Sequence, residues 1–188
     1  MLTRVTGVRR LIEAACAGAV LCTLSVPRPA WSQTTVTLPD TSLTTTMSVN
    51  VSEQVRVTVP AGVTFTVSNI GVSTVAAAVA ITADQIVTSS AAKQLRISLQ
   101  ANAASFTPPV AGAVTWSASD VSWNAATWTN ATGSAATLSH SSSEIVATCQ
   151  ADTSSCSTIG LVFTLAPKPT VQRSGTHTLV VAWKLESI

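Results

Sequence analysis

Leu95-Arg96-Ile97-Ser98-Leu99-Gln100 alternates apolar and polar side chains one by one. Period two sets Leu95, Ile97 and Leu99 on one face of an extended strand, whereas a helix would need apolar residues three and four apart. The pattern recurs outward from this stretch. Val55, Val57 and Val59 alternate with Arg56 and Thr58 up to Pro60-Ala61-Gly62, after which Val63, Phe65 and Val67 alternate with Thr64 and Thr66, predicting two strands joined by a turn. Ile159, Leu161, Phe163 and Leu165 repeat the spacing and stop at Pro167-Lys168-Pro169. In Thr178 to Leu185, Leu179, Val181, Trp183 and Leu185 point one way with Val180 and Ala182 between them, so cover is expected on both faces.

Shorter strand candidates are Val36 to Leu38, Met47 to Val51, Val75 to Thr82, Val114 to Ser117, Thr137 to Ser139 and Glu144 to Cys149. Ala76 to Ala80 has the propensity for a helical turn, but no long segment carries a helical stripe. Ala, Val, Ser and Thr make up over half of the chain, charged residues only 10%, and Tyr is absent. β-Branched residues favour strands, and hydroxyls wet a surface without charge. Short strands punctuated by Pro, Gly, Asn and Ser predict one all-β domain, an antiparallel β-sandwich, Ig-like or pilin-like, of about seven to ten strands. Asp120 to Ser143, the least regular part, is expected as a long exposed excursion.

Residues 1–32 read as a cleavable export signal: Arg4, Arg9 and Arg10, then an apolar run from Ala14 to Val26, then Ala30-Trp31-Ser32 before Gln33. The apolar run is shorter than the roughly 20 residues of a bilayer span. Residues 33–188 are then the β-sandwich domain, exported to a cell surface, the medium or a periplasm, with no membrane span of its own. The domain keeps Arg56, Lys93, Arg96, Lys168, Arg173 and Lys184 against Asp40, Glu53, Asp84, Asp120, Glu144, Asp152 and Glu186. Its net charge is about −1, with no basic cluster, so nucleic acid is not an expected partner.

Cys149 and Cys156 remain after the signal, and an even pair in an exported chain predicts a disulfide, here one stapling a hairpin. Two histidines and seven scattered carboxylates leave little for proton transfer, nucleophilic attack or metal binding. Ser139-His140-Ser141 and Thr176-His177-Thr178 lack a paired acid, and no H-E-x-x-H or phosphate-cradling glycine loop is present. The expectation is a chain that is not an enzyme, with no catalytic residues, no metal and no cofactor.

Trp116, Trp123 and Trp128 lie within thirteen residues of a Ser/Ala/Asn/Thr-rich stretch. Indole faces beside amides can stack on sugars, so Trp123, Trp128, Asn124 and Asn130 are the candidate glycan-binding residues; burial in the core of a small-residue domain is the competing reading.

The closing run Gly175-Thr-His-Thr-Leu-Val-Val-Ala-Trp183-Lys-Leu185 resembles the last strand of WxL-type bacterial surface domains. That resemblance implies a secreted β-domain held on the cell wall, acting in display or adhesion. The same ending also resembles fimbrial and spore-coat-type secreted subunits, which implies a terminal strand that pairs with a neighbour. Leu95 to Asn102 and the Phe106-Thr-Pro-Pro109 turn are similar to a broader group of bacterial secreted proteins, which implies a fold and no activity. The functional expectation is a non-catalytic structural or adhesion protein, with an envelope polymer or other surface proteins as partners. The rivals are a glycan-binding module and a self-associating filament subunit that donates a strand, with Thr34 to Leu38 as the donor.

Overall fold

The computed structural model describes residues 35, 37–39 and 43–188. The signal reading of 1–32 lies outside them, as do residues 34 and 36 of the Thr34 to Leu38 donor. The chain divides into two units, Met1–Met47 and Ser48–Ile188. The described residues of the first are all exposed.

The second unit is all-β, with eleven short strands in three antiparallel sheets, an arrangement consistent with a β-sandwich. One sheet orders β1 (Gln54–Thr58), β3 (Val79–Val87) and β9 (Ser155–Leu161). The next orders β2 (Thr74–Val75), β10 (Phe163–Leu165), β5 (Val121–Trp123) and β7 (Ala136–Thr137). The third orders β11 (Val181–Ser187), β4 (Leu95–Ala101), β8 (Glu144–Cys149) and β6 (Ala131–Gly133). No helical turn forms over Ala76 to Ala80, because β2 and β3 take up the chain on either side.

The opening stretch becomes β4, paired with β11 on one side and β8 on the other. Its apolar face keeps the period of two, Leu95, Ile97, Leu99 and Ala101 all being buried, and its other face is covered at Ser98. The register against β8 shifts between Ile97 and Ser98, and Ile97, Ser98 and Leu99 are buried in succession. The extra residue is Val146 of β8, which is buried beside Ala147; on β4, serine is small enough to be buried on the face opposite Ile97 and Leu99.

A second bulge redirects β9. Ile81 faces Thr158 and Val79 faces Leu161, so two steps on β3 match three on β9. The extra residue reverses the parity. Ile159, expected inward with Leu161, is 85% exposed, and Thr158 takes the core position with its hydroxyl donating to the Thr127 carbonyl at 2.7 Å. The expected strand from Ile159 to Leu165 is also split at Val162, whose N–H donates to Asn124 Oδ1 at 2.8 Å while its carbonyl accepts from the Asn124 N–H at 3.2 Å.

Asp120 to Ser143 is no excursion: it supplies β5, β6 and β7, and its tryptophans are buried. The disulfide Cys149–Cys156 is formed. It does not staple a hairpin, because β8 and β9 pair with different neighbours; it ties one sheet to another. The core centres on Ile81, Ile97, Leu99, Val146 and Leu161, all shut off from solvent.

Candidate functional site

Of the residues expected to face a sugar, Trp123 and Trp128 are buried, while Asn124 and Asn130 are exposed. Trp123 is 3% exposed, with its Nε1–H donating to the Ser134 carbonyl at 3.0 Å, and it stands opposite Phe163 on β10. Trp128 is 9% exposed, and its Nε1 has no partner among the described residues. Asn124 also donates to the Gly160 carbonyl at 3.1 Å, and Asn130 donates to the Ser155 carbonyl at 3.2 Å from a left-handed conformation, φ 54°. A stacking platform needs an open ring face, which neither tryptophan offers; the two exposed asparagines each hold a neighbouring backbone carbonyl instead. Apolar burial outweighs the polar neighbours because the flanking Ala, Ser and Thr side chains leave core volume that large rings must fill. Cys149 and Cys156 are likewise buried.

The histidines lie apart. His140 contributes its backbone carbonyl to Gln100 Nε2 at 2.9 Å. His177 is held by Thr115 Oγ1 at Nδ1, 2.7 Å, and by the Arg173 carbonyl at Nε2, 3.3 Å. A carbonyl can only accept, so Nε2 carries the proton and Nδ1 accepts from the threonine hydroxyl. The ring stands edge-on to Trp116, with centroids 5.2 Å apart. No group of three or more His, Cys, Asp or Glu side chains placed to hold a metal occurs among the described residues.

The feature that sequence reading missed is a cleft of about 950 Å³, reaching down to Leu99, Val121, Phe163 and Leu165 of the core. One wall is Pro60 to Val67. Val63, Phe65 and Val67 turn inward and are half-buried while Thr64 and Thr66 face water, as the alternation predicts. The strand pairing expected for this run is absent, and Pro60 to Ser68 makes no backbone hydrogen bond with another described backbone group. The opposite wall is Gln172 to Val181, of which Gln172 to His177 is also without backbone–backbone hydrogen bonds. Unpaired N–H and C=O groups are strong hydrogen-bonding groups, and here they flank an apolar trough. That combination suits an extended polypeptide, which satisfies backbone on both sides and sends alternate side chains into the trough.

Glu53 is not among the residues that line the cleft. Its carboxylate ties the start of β1 to other elements, with Oε1 accepting from the Ser89 N–H at 2.6 Å, Ser187 Oγ at 3.2 Å and Lys93 Nζ at 3.3 Å. The hydrogen bonds from Ser89, reinforced by Lys93, lower its pKa to about 2. At the other end of β11, Val181 and Trp183 line the cleft.

Among protein-family models, curated proteins and solved structures, none matches this chain.

Proposed function

We propose that this chain is a non-catalytic structural protein of the exported, cell-surface type, whose β-domain works by associating with another polypeptide. The observation that carries the reading is the cleft: core-depth apolar side chains flanked by two runs, Pro60 to Val67 and Gln172 to His177, that make no backbone hydrogen bond with another described backbone group. An open trough of this kind is costly to leave in water and has the geometry of strand addition. The disulfide supports the exported part of the reading, since such bonds persist in oxidising compartments. Low charge and Ser/Thr-covered faces suit close packing with neighbours.

The test is association itself. Light scattering across a wide concentration range, with negative-stain microscopy at the upper end, is expected to show dimers or filaments. A protein that stays monomeric at the highest concentration, with no filaments, overturns the reading.

A further inference from the structure

We infer that β11 pairs with β11 of a second copy across a two-fold axis at Leu185, joining two four-stranded sheets into one; the inference rests on the association reading above and adds a contact outside the cleft. Gln94 and Ile188 exchange both backbone hydrogen bonds at 3.0 Å, and the Asn102 N–H donates to the Val180 carbonyl at 2.9 Å. Between them the register runs without a shift from Val181 opposite Ala101 to Ser187 opposite Leu95. Hydrogen-bonded pairs alternate in an antiparallel ladder, so the even-numbered residues of β11 bond β4, whereas Val181, Trp183, Leu185 and Ser187 turn N–H and C=O to the outer edge. Those outer groups pair with no other described backbone group. Sheet edges are commonly guarded by proline, a bulge or charge. β11 has neither proline nor bulge, and its two charges, Lys184 and Glu186, are of opposite sign on one face. The other long strand at the end of a sheet, β9, is engaged at Ser157, which exchanges backbone hydrogen bonds with Thr129 at 2.8 and 3.2 Å.

The spacing of the two charges names the partner. With the axis at Leu185, Lys184 faces the partner's Glu186 while Glu186 faces the partner's Lys184, and opposite charges directly across a ladder are favourable. Moving the axis by one residue sets Lys184 against Lys184 or Glu186 against Glu186, which repulsion disfavours. Moving it to Trp183 leaves the two charges opposite Ala182 and Val180, with nothing gained. Within one chain Glu186 holds Lys184 at 2.8 Å and Arg96 at 2.9 Å, so in the pair each ammonium stands between its own carboxylate and the partner's. A second copy is the occupant because an antiparallel strand with the same Lys-x-Glu order supplies both cross-strand pairs at once.

The experiment uses the full chain. Lys184→Glu and Glu186→Lys, each measured by light scattering, are expected to raise the concentration of half-association about 30-fold. An equimolar mixture of the two is expected to restore it, since glutamates on one edge then face lysines on the other. Leu185→Cys, in a chain with Cys16 and Cys22 replaced by Ser, keeps both charges and tests the register even where Glu186→Lys fails to fold. Across a hydrogen-bonded pair the two Cα atoms stand about 5.5 Å apart, within disulfide reach, so mild oxidation is expected to give a covalent dimer. Ala182→Cys is expected to give none, because its two copies lie six residues out of register, roughly 20 Å. If the charge variants associate as well as the native chain, or Ala182→Cys cross-links as readily as Leu185→Cys, the edge assignment fails and the association reading stands. If the native chain never associates, both fail. Trp183 and Leu185 amides already protected from hydrogen exchange at a concentration where the chain is monomeric would place the cover of this edge within one chain, and that also overturns the inference.

Discussion

Trp123 and Phe163 are cross-strand partners of β5 and β10, with ring centroids 6.1 Å apart and planes inclined by 60°. This edge-on pair joins the core to the floor of the cleft, because Phe163 is among the residues lining it. Aromatic pairs in this arrangement contribute beyond the area they bury. Phe163→Ala is expected to lower stability by about 3 kcal/mol, somewhat less than at a sealed site because the cleft lets water in. Urea unfolding followed by tryptophan fluorescence reads the change.

Gly133 on β6 leaves no room for a side chain. A Cβ there would meet the Ala126 carbonyl oxygen, and it would lie 2.8 Å from Trp128 Cδ1 and 2.9 Å from its Nε1. Gly133→Ala is expected to cost about 1–3 kcal/mol as the indole and backbone move apart. Its signature is a change in tryptophan emission of the folded protein, since Trp128 must tilt.

Glu53 sets an acid dependence. Its folded pKa is held near 2 by the hydrogen bonds from Ser89, below the unfolded value. The folded state therefore binds fewer protons, and the contribution is present above about pH 4.5 and lost as pH falls towards 2. Glu186, lowered by Lys184 and Arg96, and Asp84, lowered by Arg56, act in the same direction. Stability measured between pH 6 and pH 2 is expected to fall, and Glu53→Gln to flatten part of that fall. A profile unchanged by the substitution would show that Glu53 is not tied in solution.

The disulfide should matter through the unfolded chain. Closing a loop with a sequence separation of 7 removes entropy equivalent to about 2.5 kcal/mol in the chain-entropy model. Replacing Cys149 and Cys156 together by Ser is expected to lower stability by that amount or more, because both positions are buried. Chemical denaturation under matched conditions checks it.

Much of the fold is legible in the chain because alternation reports which face of a strand is apolar. Glu144 to Cys149 is found as the strand expected, and Leu95 to Gln100 extends by one residue. Alternation does not report whether a partner strand exists, which is why Val63 to Val67 keeps its half-buried face and lacks its ladder. Nor does it survive an inserted residue, as Ile159 and Thr158 demonstrate at the β9 bulge. The burial of the two candidate tryptophans was hidden for a related reason. Trp123 and Trp128 sit among polar neighbours in sequence, but burial is decided by neighbours in space, which here are Phe163, Gly133 and Ala126. The cleft had no sequence signal other than two apolar-alternating runs, each of which looks like an ordinary strand on its own.

Glu53 and Ser187 together fix how the domain would bear a load. The residue before β1 and the last residue of β11 share one hydrogen bond at 3.2 Å, so tension drawn between them never crosses the body of the fold. It strains that single contact first, then opens the β1–β3 and β11–β4 ladders from their near ends, one rung after another. Such unzipping yields at lower force than sliding whole ladders past each other. A filament of these domains that must resist pulling therefore has to transmit force through contacts between subunits, leaving the route from Glu53 to Ser187 slack.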